Sequence, residues 1–143
     1  MKRVTFHTID RINFRLRHVS KIRSWLEECA KQEGKEIVSL VYVFCNDEYL
    51  LSLNQKFLNH DTYTDIITFD YSQQDKIIGE AYLSIERIKE NAVIYKVSFQ
   101  NELLRVLVHG LLHLCGYKDK TNSQCRLIRN KENEKILLFS RFT

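Results

Sequence analysis

From Leu103 to Leu114 the chain is apolar at every position except Arg105, His109, Gly110 and His113. A helix that is apolar almost all round has to be buried, so this stretch dictates a domain assembled around one deep helix. Ser98 can cap it, and the expected span is Phe99 to about Cys115. Its two histidines lie four residues apart, on one helical face and about 6 Å apart along the axis. Gly116 can take the left-handed conformation that ends a helix, after which the chain turns back and carries Asp119 towards the same end. Two imidazoles and a carboxylate so disposed can share one metal ion.

The remaining elements are expected around that helix. Val4–Thr8 is a short strand candidate. His18–Glu33 has helical periodicity through Val19, Ile22, Leu26 and Cys29, with Gly34 as its stop. The near-continuous apolar run from Ile37 to Cys45 in Glu36–Cys45 predicts a strand covered on both faces. Asn46 or Asp47 caps a helix through Leu50, Leu51, Leu53 and Phe57. Asp65–Tyr71 and Ile77–Ile85 are strands joined by the polar turn Ser72–Lys76. Ser84 caps a helix through Ile88, Ala92 and Tyr95, and Thr121 or Asn122 starts a last helix ending near Phe139. No linker or repeat interrupts the order, so residues 1–143 read as a single domain. The expected fold is α+β, one central mixed sheet of about four strands with about five helices packed on it. The metal helix is expected at the sheet edge, with its C-terminal end open to solvent.

Charge is uneven. Nine Lys and Arg face four Asp and Glu in residues 1–35, six face eleven in 36–117, and seven face three in 118–143. Basic ends favour a polyanion such as RNA through phosphate contacts. No apolar run approaches the roughly 20 residues of a membrane span. The first ten residues lack the apolar stretch of a secretory signal, so a cytoplasmic protein is expected. Cys29, Cys45, Cys115 and Cys125 form no Cys-x-x-Cys pair and read as free thiols.

His109, His113 and Asp119 have the ligand spacing of metzincin zinc sites, His-x-x-x-His-x-x-Gly-x-x-His, which makes Phe99–Cys115 a zincin-like metal helix. Zn2+, one per chain, suits imidazole and carboxylate donors, and three protein ligands leave a fourth position for the water that carries out hydrolysis. Zinc peptidases place Glu directly after the first His; Gly110 stands there, so the peptidase base is missing. His60, in the polar loop Leu58-Asn59-His60-Asp61, is a candidate ligand, acid or surface residue, and Glu80 is a further carboxylate candidate. Lys56, Lys118, Lys120 and Arg126 are candidate RNA-binding cations, with Arg129 and Lys131 beside them.

Three blocks carry a family likeness. Arg105-Val-Leu-Val-His109-Gly-Leu-Leu-His113-Leu-Cys-Gly116-Tyr117 resembles the signature of the YbeY family of metal-dependent endoribonucleases. Leu53-Asn54 together with Thr64-Asp65-Ile66-Ile67-Thr68-Phe69 is similar to its second block, and Gly79-Glu80-Ala81-Tyr82-Leu83-Ser84 to its third, in the same order. The resemblance implies a zinc-dependent single-strand endoribonuclease. Such an enzyme acts in 3′-end maturation of small-subunit rRNA and in ribosome quality control, with ribosomal RNA and the ribosome as partners. His109 and His113 match the first two metal ligands. The family's third His falls at Asp119, and Leu58 stands where the family often has an Arg. The alternatives are a zinc metallopeptidase-like hydrolase, or a ribosome-associated RNA-binding protein with a weakly active metal site.

Overall fold

The structure is a computed structural model that describes residues 2–9, 12–59 and 63–142. In chain order it contains β1 (Val4–Thr8), α1 (Val19–Gln32), β2 (Glu36–Cys45), α2 (Asp47–Leu58), β3 (Ile66–Asp70), β4 (Lys76–Ser84), α3 (Ile85–Tyr95), α4 (Phe99–Leu114) and α5 (Asn122–Phe139). This is the expected α+β order, and the boundaries fall within a residue or two of those read from the sequence. The caps explain why. Asn46, Ser84, Ser98 and Thr121 each accept a backbone N–H three residues ahead. Gln124 returns the bond to Thr121, completing a capping box.

The strands form one mixed sheet in the order β1-β2-β4-β3, with β1, β2 and β4 parallel and β3 antiparallel to β4. On β4 every second residue is buried, Ile77, Gly79, Ala81 and Leu83 lying on one face. With Leu40, Tyr42 and Phe44 of β2 they form the floor on which α4 and α1 rest. The other face is only partly covered. Helix α2 packs over β3 and β4 around Cys45, Leu50 and Ile67, and Val38 of β2 remains 46% exposed. The expectation that β2 is covered on both faces is therefore corrected: α2 shields the sheet only at its β3 and β4 side.

Helix α4 is the centre of the core, as its composition requires. It packs on the inner face at the β3 edge of the sheet, as expected, against β3 and β4, and reaches inward to β2. The Tyr42 hydroxyl on β2 donates to the Leu107 carbonyl at 2.8 Å. At the β3 and β4 side the contact is so close that a Cβ on Gly110 would lie 2.7 Å from Ile66 Cδ1. A Cβ on Gly79 would lie 2.9 Å from the Phe69 carbonyl and 3.0 Å from both δ carbons of Leu114. Two glycines, one on each surface, thus let helix and sheet approach. No described helix is long and apolar enough to cross a membrane.

Candidate metal centre

The end of α4 sets the site. Gly116 has φ 109°, the Gly116 N–H donates to the His113 carbonyl, and the Tyr117 N–H donates to Leu112, both at 3.0 Å. These two bonds make a Schellman turn that sends the chain back over the helix end. The Tyr117 hydroxyl then anchors the returning chain by donating to Glu33 Oε1 at 2.6 Å. Asp119, 44% exposed, arrives above the two histidines.

Three donor atoms converge. His109 Nε2 and His113 Nε2 are 3.0 Å apart. Asp119 Oδ2 lies 3.2 Å from His113 Nε2 and 3.5 Å from His109 Nε2. Among the described residues this is the one group of three or more His, Cys, Asp or Glu side chains whose donors gather closely enough to hold a metal ion. For bonds of about 2.0–2.1 Å, tetrahedral geometry places neighbouring donors about 3.3 Å apart. The observed separations bracket that value, and two imidazoles with one carboxylate are a donor set suited to zinc and its neighbours, so the residues fit such an ion.

The face of α4 that carries the histidines also carries Glu102 and Arg105, seven and four residues before His109. Arg105 Nη1 donates to Glu132 Oε1 at 2.9 Å, and Arg105 Nη2 to Asn133 Oδ1 at 2.9 Å. Glu132, on α5 and almost wholly buried, has its other oxygen 2.6 Å from His109 Nδ1. Burial alone would raise its pKa, but the His109 and Arg105 hydrogen bonds outweigh it and hold the carboxyl below the usual range. An ionised carboxylate only accepts, so Nδ1 carries the proton and the Nε2 lone pair of His109 faces His113 and Asp119. Burial disfavours the charged imidazole, yet the Glu132 hydrogen bond and charge, with Asp65 and Asp119 behind it, raise the His109 pKa.

Two cavities of about 270 Å³ each open on either side of the histidines and share His109, Asp65 and Asp119. The first lies among α3, α4 and α5 and includes Glu102, Arg105 and Arg129 in its walls. The second runs along β3, beside His113, and reaches Leu58. Asp65, partly buried just before β3, has its pKa raised by desolvation.

The expected site residues divide accordingly. His109, His113 and Asp119 come together. Lys56, Lys118, Lys120 and Arg126 are exposed and line neither cavity; Lys56 lies over the Phe57 ring at 5.4 Å, and Arg126 donates to Ser123 at 3.5 Å. Lys131 pairs with Glu33 and Glu134. Glu80 stands on β4 between Gly79 and Ala81 and so on the face turned away from α4. His60 lies outside the described residues. Glu102, Arg105, Asp65 and Glu132 were missed as site residues. The first two share the histidines' helical face and were within reach of the 3.6-residue period; Glu132 belongs to another helix, and no local pattern points to it.

The sequence profile described as Endoribonuclease YbeY matches residues 6–139. The chain is 49% identical over 128 residues to an endoribonuclease YbeY of Flavobacterium psychrophilum, covering 90% of this chain and 91% of that one. It is 50% identical over 126 residues to an endoribonuclease YbeY of Cytophaga hutchinsonii, covering 87% and 88%. The solution structure of TM1509 from Thermotoga maritima superposes with a TM-score of 0.66 at 26% identity, covering 93% of this chain and 86% of that one.

Proposed function

The chain belongs to the YbeY endoribonuclease family, and on that premise we propose that it is a zinc-dependent single-strand endoribonuclease acting in 3′-end maturation of small-subunit rRNA and in ribosome quality control. Its partners on this reading are ribosomal RNA and the ribosome, in the cytoplasm. The observation that carries the metal dependence is the convergence of His109 Nε2, His113 Nε2 and Asp119 Oδ2 within 3.5 Å of one another.

On this reading those three side chains hold one ion. Once bound, Zn2+ supplies Lewis acidity towards a phosphoryl oxygen and lowers the pKa of water. The protein supplies orientation. Glu132 fixes the tautomer and ring plane of His109, and Arg105 holds Glu132 in turn. Arg129, 55% exposed at the mouth of the first cavity, offers a guanidinium to an RNA phosphate. Leu58 lines the second cavity, so no cation is contributed from that position.

The metallopeptidase alternative is disfavoured by Gly110. A side chain there would meet Ile66 at 2.7 Å, so the position serves helix–sheet contact and holds no base. Incubation of purified protein with a single-stranded rRNA fragment and with casein, each with and without chelator, tests the proposal. Chelator-sensitive RNA cleavage, lost in His109→Ala, is the expected result. Intact RNA with metal-loaded protein would overturn it. In cells lacking the protein, unprocessed 3′ ends of small-subunit rRNA should be restored by the wild type but not by His109→Ala.

A further inference from the structure

Glu102 is 4% exposed, and among the described residues nothing pairs with its carboxylate: it takes part in no side-chain hydrogen bond and no ion pair. Among the described residues Arg87 Nε is the one buried side-chain polar atom without a partner, so the little exposure Glu102 keeps lies at its carboxylate oxygens, which open on solvent. The nearest cation on its helix, Arg105, is already committed to Glu132 and Asn133. The free carboxylate lines the cavity beside His109. Desolvation, and then the charge of Asp65, raises its pKa, while the charges of Arg105 and Arg129 pull it down; N–H donors from a ligand act in the same sense as the two arginines and favour the ionised form. At the rim of the same cavity stand Tyr95, 57% exposed, Asn91, and the Arg129 guanidinium.

Resting on the ribonuclease reading above, we propose that this cavity is a subsite for one RNA base next to the cleaved phosphate, with Glu102 accepting N–H donors from the base's pairing edge. Guanine is the base that fits. Its N1–H and N2–H2 lie side by side and match both oxygens of a carboxylate. Adenine and cytosine put an acceptor next to their single amino group, and uracil flanks one N–H with two carbonyls. Tyr95 supplies a ring for stacking, which is indifferent to base identity. Arg129 meets the phosphate. At about 270 Å³ the cavity is just below the range of drug-sized pockets, enough for one nucleoside.

The test uses the full chain with chelator present, so that binding is read without cleavage and without a metal–phosphate contact. Calorimetry with 5′-GMP, 5′-AMP, 5′-CMP and 5′-UMP should show GMP bound on the order of tenfold or more tighter than UMP. Glu102→Gln should remove that preference, because an amide offers one donor and one acceptor and no longer matches guanine's paired donors, while Tyr95→Ala should weaken all four alike. Equal affinity for the four nucleotides, or GMP binding unchanged in a folded Glu102→Gln variant, overturns the proposal. Should that variant not fold, GMP-induced amide shifts in the wild type decide: they must centre on residues 91, 95, 102 and 129, and shifts centred elsewhere overturn it. RNA cleavage without GMP preference defeats this inference alone; GMP preference without RNA cleavage defeats the ribonuclease reading instead.

Discussion

Replacing Glu132 by Gln isolates the support behind His109. The amide oxygen can accept from His109 Nδ1–H only if its NH2 group faces Arg105 Nη1, now 2.9 Å from Oε1, donor against donor. Turned the other way, it sets NH2 against the imidazole N–H. Either orientation loses one of the two bonds and the charge that both partners use. Loss of a carboxylate behind a metal-binding imidazole typically lowers metal affinity about 10- to 100-fold, or roughly 1.4–2.7 kcal/mol. Glu132→Ala strips both partners and should also destabilise the fold by about 3–5 kcal/mol, as expected when one member of a buried ion pair is removed. Competition between protein and a chromophoric chelator for Zn2+ measures the first quantity, and urea unfolding of the metal-free protein the second. A zinc Kd within twofold of wild type in a folded Glu132→Gln variant would refute the claim that this carboxylate orients the ring.

Other outcomes follow from the same geometry. Asp119→Ala should weaken zinc binding at least tenfold while leaving the melting temperature of the metal-free protein unchanged, because the side chain is 44% exposed and, among the described residues, bonds only towards the histidines; Asp119→His should still take up one Zn2+ per chain by elemental analysis. Gly79→Ala forces a methyl group against the Phe69 carbonyl and Leu114, so thermal denaturation should show a loss of about 1–3 kcal/mol, and an unchanged melting temperature would contradict that packing. Glu33 has its pKa lowered: burial opposes ionisation, but Lys135, Tyr117 and Lys131 outweigh it. A depressed carboxyl contributes stability above its unfolded value of 4.5 and loses it as pH falls through the folded value. Glu33→Gln should therefore be less stable than wild type at pH 7, by about 3 kcal/mol given the buried Lys135 partner, and the gap should close below pH 4.5 in urea unfolding.

How far the chain could be read before its structure depended on distance. The caps at Asn46, Ser84, Ser98 and Thr121 act over three residues, so the helix starts were legible. The histidine pair and the glycine turn act over one helical turn each, and with Asp119 they were found for the same reason. Sheet order is a matter of long-range pairing, and the apolar run of β2 said nothing of how little α2 would cover. In the sequence Gly110 shows only that the peptidase base is missing; in the structure it has a positive role, as the point where α4 meets Ile66. Glu132 lies 23 residues from the imidazole it supports, on a helix whose polar sequence looks like surface. Charge marks the basic residues near the C-terminus but does not tell which side of α5 faces the cavity; Arg129 does, Arg126 does not.

The Schellman turn after α4 divides the site into two parts with different tolerance to change. Both imidazoles stand on a rod wedged into the sheet, so altering that rod disturbs the whole molecule. The third donor hangs from a short exposed return, where exchanging one side chain for another leaves the framework untouched. Evolution can therefore retune the hardness of the ion's surroundings at residue 119, one codon at a time, without rebuilding anything beneath it.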